Sequence, residues 1–186
     1  MKAKPHGLPD NATIPPAVAV VMGVSGSGKT LIGSALAART GGRFIDGDHY
    51  HPAENIGRMR SGLPLGDEHR WKWLDAIAAE IAAVERGMLV VGCSALKRIY
   101  RDRLRRARPR VLFIHLDIDR ATAAARVAAR QNHFMPASLI GSQFADLEPP
   151  APDERAMTLD AALEPAVLVE LATRALLAMR DDVVPG

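Results

Sequence analysis

Near the start of the chain, Gly23-Val24-Ser25-Gly26-Ser27-Gly28-Lys29-Thr30 has the residue types and spacing of a phosphate cradle. The pattern is Gly-x-x-x-x-Gly-Lys-Thr, and each position has a physical task. Gly23, Gly26 and Gly28 let the backbone turn so that its N–H groups converge on an anion, with Ser25 and Ser27 inside the same nest. A helix beginning near Lys29 would add its positive end to that nest. Lys29 is placed to reach the β- and γ-phosphates of ATP, and the Thr30 hydroxyl to bind Mg2+.

A cradle alone leaves switches, motors and kinases open. Asp46-Gly47-Asp48 follows a short apolar run, so two carboxylates should project beside the phosphates. Phosphoryl transfer to an alcohol needs a carboxylate that orients the hydroxyl and accepts its proton. Asp48 is the candidate for that role, and Asp46 for a place nearer the metal. The plainer alternative is a polar turn, a common use of Asp-Gly. Asp46, Asp48, His49 and His51 are too crowded for a transition-metal site on an extended chain. His51 reads instead as a hydrogen-bonding group for the substrate. Arg126 and Arg130 lie four apart on one helix face, just before Gln131–Pro136, as in a lid that carries guanidinium groups to a transferring phosphoryl.

These residues need elements to position them. Short aliphatic runs at Ala17–Met22, Arg43–Ile45, Met88–Val91, Val111–Leu116 and Met157–Leu159 read as buried parallel strands. Helical patterns cover Lys29–Thr40, Pro52–Arg60, Asp67–Arg86, Leu96–Arg106, Arg120–Arg130, Pro136–Leu147 and Pro165–Met179. The alternation predicts an α/β domain with a mostly parallel sheet covered on both faces. A Pro-rich tail over 1–16 precedes a single domain over 17–181. Within it, 46–87 forms a substrate-binding insertion and 130–150 a lid region.

The chain has 186 residues, 48% hydrophobic and 24% charged, which suits one folded domain. No apolar run reaches membrane-spanning length and no signal peptide opens the chain, so a cytoplasmic protein without membrane attachment is expected. Cys93 is the only cysteine; it follows a buried strand, which argues against a nucleophile. The net charge of +3 is concentrated in Lys97–Arg110, with eight basic residues against one Asp. Without aromatic stacking residues that stretch reads as a helix face bordering an anion site, not as a nucleic-acid reader. Trp71 and Trp73 read as packing residues in preference to sugar platforms.

Several blocks together resemble the gluconokinases, the ATP-dependent gluconate kinases. They are Val24–Thr30, Phe44-Ile45-Asp46-Gly47-Asp48 with His51-Pro52, Ser61-Gly62-x-Pro64-Leu65-x-Asp67 with Arg70 and Trp73, Cys93–Lys97 with Tyr100-Arg101-Asp102, Arg130 with His133-Phe134, and Ser142-Gln143-Phe144. The resemblance implies the shikimate-kinase-like P-loop NTPase fold, a five-stranded parallel sheet of order 2-3-1-4-5 with a lid. It implies transfer from ATP, with Mg2+, to the 6-hydroxyl of D-gluconate, in a homodimer. It also implies an adenine-side loop at Leu159–Pro165, with Pro165 against the nucleotide. Gluconate is a carboxylate with several hydroxyls, so its pocket needs a cation. Lys97 and Arg101, four apart on one helix face, and Arg58, Arg60 and Arg70 of the insertion are candidates. A shikimate or nucleoside-monophosphate kinase on the same fold is the main alternative, and a non-kinase ATP-binding switch the next.

Overall fold

A computed structural model of the chain describes residues 16–129 and 137–181. The expected tail therefore lies outside the described residues except at Pro16, as do Arg130 and the first part of the expected lid. Five strands, β1 (Ala17–Met22), β2 (Arg43–Asp46), β3 (Met88–Gly92), β4 (Leu112–Asp117) and β5 (Ala156–Asp160), form one sheet of order β2-β3-β1-β4-β5. Every pairing is parallel, with Ala17 opposite Met88, Arg43 opposite Leu89, Ala19 opposite Leu112 and Phe113 opposite Ala156. All five strands consequently end at one edge, where loops and helix N-termini gather.

The alternation along β1 shows how the layers form. Ala17, Ala19 and Val21 join a core under α1 (Lys29–Thr40) and α7 (Pro165–Asp181), together with Ile32, Leu36, Leu168 and Leu176. Val18, Val20 and Met22 face the other side, against Trp73, Leu74, Ile77 and Ile81 of α3 (Asp67–Ala82) and Tyr100 and Leu104 of α4 (Arg98–Ala107). Both faces of a parallel sheet are thus covered by amphipathic helices. The insertion between β2 and β3 holds a 3-10 turn (Gly47–Tyr50), α2 (Ala53–Arg60) and α3. The chain then continues through α5 (Arg120–Ala128), a 3-10 turn (Ala137–Leu139) and α6 (Ile140–Asp146).

Three helices depart from the bounds of their sequence patterns. α3 stops at Ala82, four residues before Arg86, and at its end the Arg108 guanidinium donates to the carbonyls of Ile81 and Val84 at 3.4 and 2.5 Å. Those bonds satisfy the orphan acceptors of a helix end. α4 begins at Arg98 and not at Leu96: Ala95 sits at φ 43°, in the left-handed region, and Lys97 is extended. α6 likewise starts only at Ile140, after its 3-10 turn. Among the described residues no helix is long and apolar enough to cross a membrane.

Candidate active site

The loop between β1 and α1 lies at the sheet edge where strands end. Gly26 has φ +86°, and a Cβ there would stand 2.6 Å from the Ala123 carbonyl of α5, so glycine alone lets the loop pass under that helix. Lys29 Nζ donates to the Val24 carbonyl at 2.9 Å, which folds the ammonium back over the loop. The Ser27 hydroxyl is buried and has no hydrogen-bond partner among the described residues. Ser25 has a use beyond the expected anion contact. Its N–H donates to Gln143 Oε1 at 2.7 Å, and its hydroxyl accepts from Gln143 Nε2 at 3.2 Å.

The residues expected at a metal come together. Thr30 Oγ1 donates to Asp46 Oδ2 at 2.9 Å, and Asp46 Oδ1 accepts from the Asp48 N–H at 3.1 Å, capping the 3-10 turn. A hydroxyl and a carboxylate oxygen side by side, next to an ammonium and a glycine-rich nest, are hard donors of the kind Mg2+ and polyphosphate need. The donor set fits both groups. No cluster of three His, Cys, Asp or Glu suited to a metal occurs among the described residues.

Asp48 and Lys29 line one pocket with Ser25, His51, Arg70 and Ser94, closed by Met59, Leu65 and Leu139. Gly47 fixes where Asp48 stands: a Cβ on it would meet the Gly92 carbonyl at 2.5 Å and Ile77 Cδ1 at 3.0 Å. The His51 ring stacks on Trp73, with centroids 4.3 Å apart and planes at 11°. Burial, and then the Arg70 charge, push its pKa down to about 4, so the imidazole is neutral at physiological pH.

The candidate cations separate clearly. Arg70, from α3, is buried and lines the pocket; Nε and Nη2 donate to the Leu65 carbonyl, and Nη2 also reaches Asp146 Oδ2 at 3.2 Å. Lys97 is held by two carboxylates, Asp67 Oδ1 at 2.7 Å and Asp146 Oδ1 at 3.5 Å, and its pKa is raised chiefly by the Asp67 hydrogen bond. Arg58 donates to the Pro64 carbonyl at 2.9 Å and ties the turn after α2; Pro64 lines the pocket, whereas Arg58 itself does not. Arg101 corrects the expectation of a substrate contact. Its guanidinium is fully buried, bidentate to Glu154 at 2.7 Å through both Nε and Nη2, and bonded through Nη1 to the carbonyls of Ala95, Leu96 and Glu148. All its donors face the protein interior.

Other members of the basic stretch are engaged too. Arg98 pairs with Asp153, Arg103 with Asp75, and Arg105 with Asp102 and Glu154. Arg126 spans the phosphate loop and the loop after β5, reaching the Gly26 carbonyl at 3.5 Å and the Ala161 carbonyl at 3.2 Å. Pro165, the first residue of α7, closes that second loop. Burial raises the pKa of the Cys93 thiol to about 12, which leaves no thiolate for chemistry. Arg70 had stood in the sequence as one insertion arginine among three; Gln143, in the Ser142-Gln143-Phe144 block, carried no functional signal of its own.

A phosphate loop at a parallel-sheet edge, with a carboxylate-bearing pocket opposite its lysine, defines a P-loop phosphotransferase for a small acceptor. The shikimate kinase family model matches residues 25–143. The chain is 46% identical to the thermosensitive gluconokinase of Escherichia coli K12 over 168 residues, covering 88% of this chain and 89% of that one. It is 42% identical to a gluconokinase of Gluconobacter oxydans, covering 83% and 88%. The crystal structure of a gluconokinase from Sinorhizobium meliloti 1021 superposes with a TM-score of 0.81 at 43% identity, over 91% of this chain and 96% of that one. A deoxyadenosine kinase from M. mycoides shares the fold alone, with a TM-score of 0.58 at 12% identity. The chain belongs to the gluconokinase family, within the shikimate-kinase-like P-loop kinases. The alternative of a shikimate or nucleotide acceptor is not favoured, because the relatives matched over most of their length are gluconokinases.

Proposed function

We propose that this protein transfers the γ-phosphoryl group of ATP to the 6-hydroxyl of D-gluconate, giving 6-phosphogluconate and ADP, as a cytoplasmic homodimer. The observation that carries the reading is one pocket in which Lys29, Asp48 and Arg70 converge. Asp48 orients the acceptor hydroxyl and takes its proton as the new P–O bond forms. Lys29 and the N–H groups of the Gly23–Thr30 loop hold the β- and γ-phosphates and stabilise charge as the β,γ-bridging bond breaks. Thr30 and Asp46 would hold Mg2+, which would supply neutralisation of phosphate charge when bound. Arg126, with Arg130, adds guanidinium donors on the lid side.

At the acceptor end, Arg70 is the cation for the gluconate carboxylate. Arg70 stands in the pocket lining, whereas Lys97 and Arg58 do not. His51, neutral, donates or accepts at a substrate hydroxyl without adding a second positive charge. ADP release measured with gluconate, shikimate and AMP offered separately tests the assignment; turnover with shikimate or AMP but not gluconate would refute it. Asp48→Asn is expected to keep ATP affinity and lower kcat by about 100-fold or more. Arg70→Met is expected to raise KM for gluconate and leave KM for ATP within about two-fold.

A further inference from the structure

One residue outside the pocket lining touches both the His51 ring and the turn that carries Asp48. Trp73 is 1% exposed, in the first half of α3. Its Nε1–H donates to the Gly47 carbonyl at 2.7 Å, and its ring lies 4.3 Å beneath the His51 imidazole. Gly47 is the residue before Asp48 and the first of the 3-10 turn that carries it. The indole therefore grips the acid-bearing turn by its edge and the histidine by its face.

The surroundings leave little slack in either contact. Gly47 passes so close to the end of β3 and to Ile77 of α3 that a Cβ there would meet the Gly92 carbonyl at 2.5 Å and Ile77 Cδ1 at 3.0 Å. The His51 ring is approached from its Nδ1 side by Asn55 Nδ2 at 3.4 Å, and that Asn55 amide is anchored to the His69 carbonyl of α3 at 2.7 Å. Arg70 supplies the nearby positive charge, and Asp48 shares the pocket wall. α3 thus holds the 3-10 turn, the histidine and the cation from one rigid element.

We propose that Trp73 is the positioning residue of the acceptor half-site: its indole sets the placement of Asp48 through Gly47 and that of the His51 ring by stacking. This rests on the reading of Asp48 and His51 given above. Two properties follow. Proton abstraction depends on Trp73 although it touches no substrate, and Trp73 reports acceptor binding through its stacked histidine.

The test uses the full-length enzyme, each variant assayed well below its own melting midpoint. Trp73→Phe keeps a ring under His51 but removes the Nε1 donor. It is expected to lower kcat with gluconate roughly 10-fold or more, because small misplacements at a reacting centre are costly, with KM for ATP within about two-fold. Trp73→Leu removes the stack as well and is expected to raise KM for gluconate in addition. The chain has only two tryptophans, so Trp71→Phe leaves Trp73 as the sole indole emitter. In that variant, acid quenching of Trp73 by protonated His51 should be displaced on adding gluconate and abolished by His51→Gln. A purely structural Trp73 would lower only the melting midpoint. Normal kcat and KM in Trp73→Phe overturn the proposal; if that variant does not fold, a Trp73 emission in Trp71→Phe that ignores both gluconate and His51→Gln overturns it instead. Should Asp48→Asn turn over normally, the catalytic reading itself fails. Loss of turnover in Asp48→Asn beside a normal Trp73→Phe removes only the inference.

Discussion

Replacing Arg101 by Met separates the two roles this residue could hold. Its side chain and that of Glu154 are both 0% exposed, and the guanidinium makes two bonds of 2.7 Å to the carboxylate and three more, of 2.9 to 3.2 Å, to carbonyls. Removing one member of such a buried pair typically costs about 3–5 kcal/mol, because the partner is left charged and desolvated. The proton linkage of Glu154 gives a figure of the same size. Burial by itself would raise the pKa of this carboxylate, yet the Arg101 bonds, the Ala151 N–H and the Arg105 charge overcome it and hold the group at about 2. Measured from an ordinary 4.5, that depression is worth about 3 kcal/mol. The sign follows: a depressed carboxylate contributes its full stability above about pH 4.5 and loses it as pH falls through about 2. Urea denaturation of Arg101→Met at neutral pH should therefore show a loss of about 3–5 kcal/mol. For a chain of this size the melting midpoint should drop by roughly 6–20 °C. The acid dependence between about pH 5 and 2 should weaken, since only the Arg105 charge and the Ala151 N–H then oppose the burial of Glu154. Adding Glu154→Leu should restore part of the loss, with KM for gluconate unchanged throughout. A variant with wild-type stability and a raised KM for gluconate would refute the reasoning and return Arg101 to the substrate.

Three further outcomes are expected. Lys29→Met should raise KM for ATP and lower kcat together, by about 100-fold or more in kcat/KM, in coupled ADP-release assays. Thr30→Ala and Asp46→Asn should each raise the Mg2+ concentration needed for half-maximal rate, while gluconate binding by calorimetry without nucleotide stays unchanged; equal Mg2+ requirements would remove both from the metal. His51, neutral down to about pH 4, should leave kcat/KM for gluconate without an inflection near 6.5. Because the unfolded histidine takes up a proton below about 6.5 while the folded one does not until about 4, stability should fall as pH drops across that interval. His51→Gln should remove that part of the slope.

What could be read from the sequence divides along a physical line. The phosphate loop, the Asp-Gly-Asp turn and the strand–helix alternation are local patterns, in which types and spacing a few residues apart dictate backbone direction and burial. The five strands accordingly fall within a residue or so of their expected bounds. The full sheet order matched what the family resemblance implies. The arginines behaved differently. Lys97 and Arg101 are four apart, and helical periodicity aligns them on one face, but the chain enters α4 only after the left-handed Ala95. Arg101 then turns to Glu154, fifty-three residues away. Nothing within a helical turn of Arg101 announces that carboxylate.

The same separation hid Gln143 and singled out Arg70. Gln143 meets Ser25 across 118 residues of chain, and Arg70 meets Asp146 across 76. Both contacts arise because α6 packs at the mouth of the pocket, where it brings an amide to the phosphate loop and a carboxylate to the insertion helix. A stretch with eight basic residues thus supplies the scaffold, through ion pairs with Glu154, Asp153, Asp75 and Asp102. The cations that line the pocket, Lys29 and Arg70, come from other helices. Charge density in a sequence marks where cations are numerous; which of them lines a pocket is decided by tertiary packing, and Arg70 lines this one while also bonding Leu65 and Asp146. On that argument the kinetic contrast between Arg70→Met and Arg101→Met is the sharpest single comparison the fold offers: both remove a buried guanidinium and should lower stability, but only Arg70→Met should raise KM for gluconate.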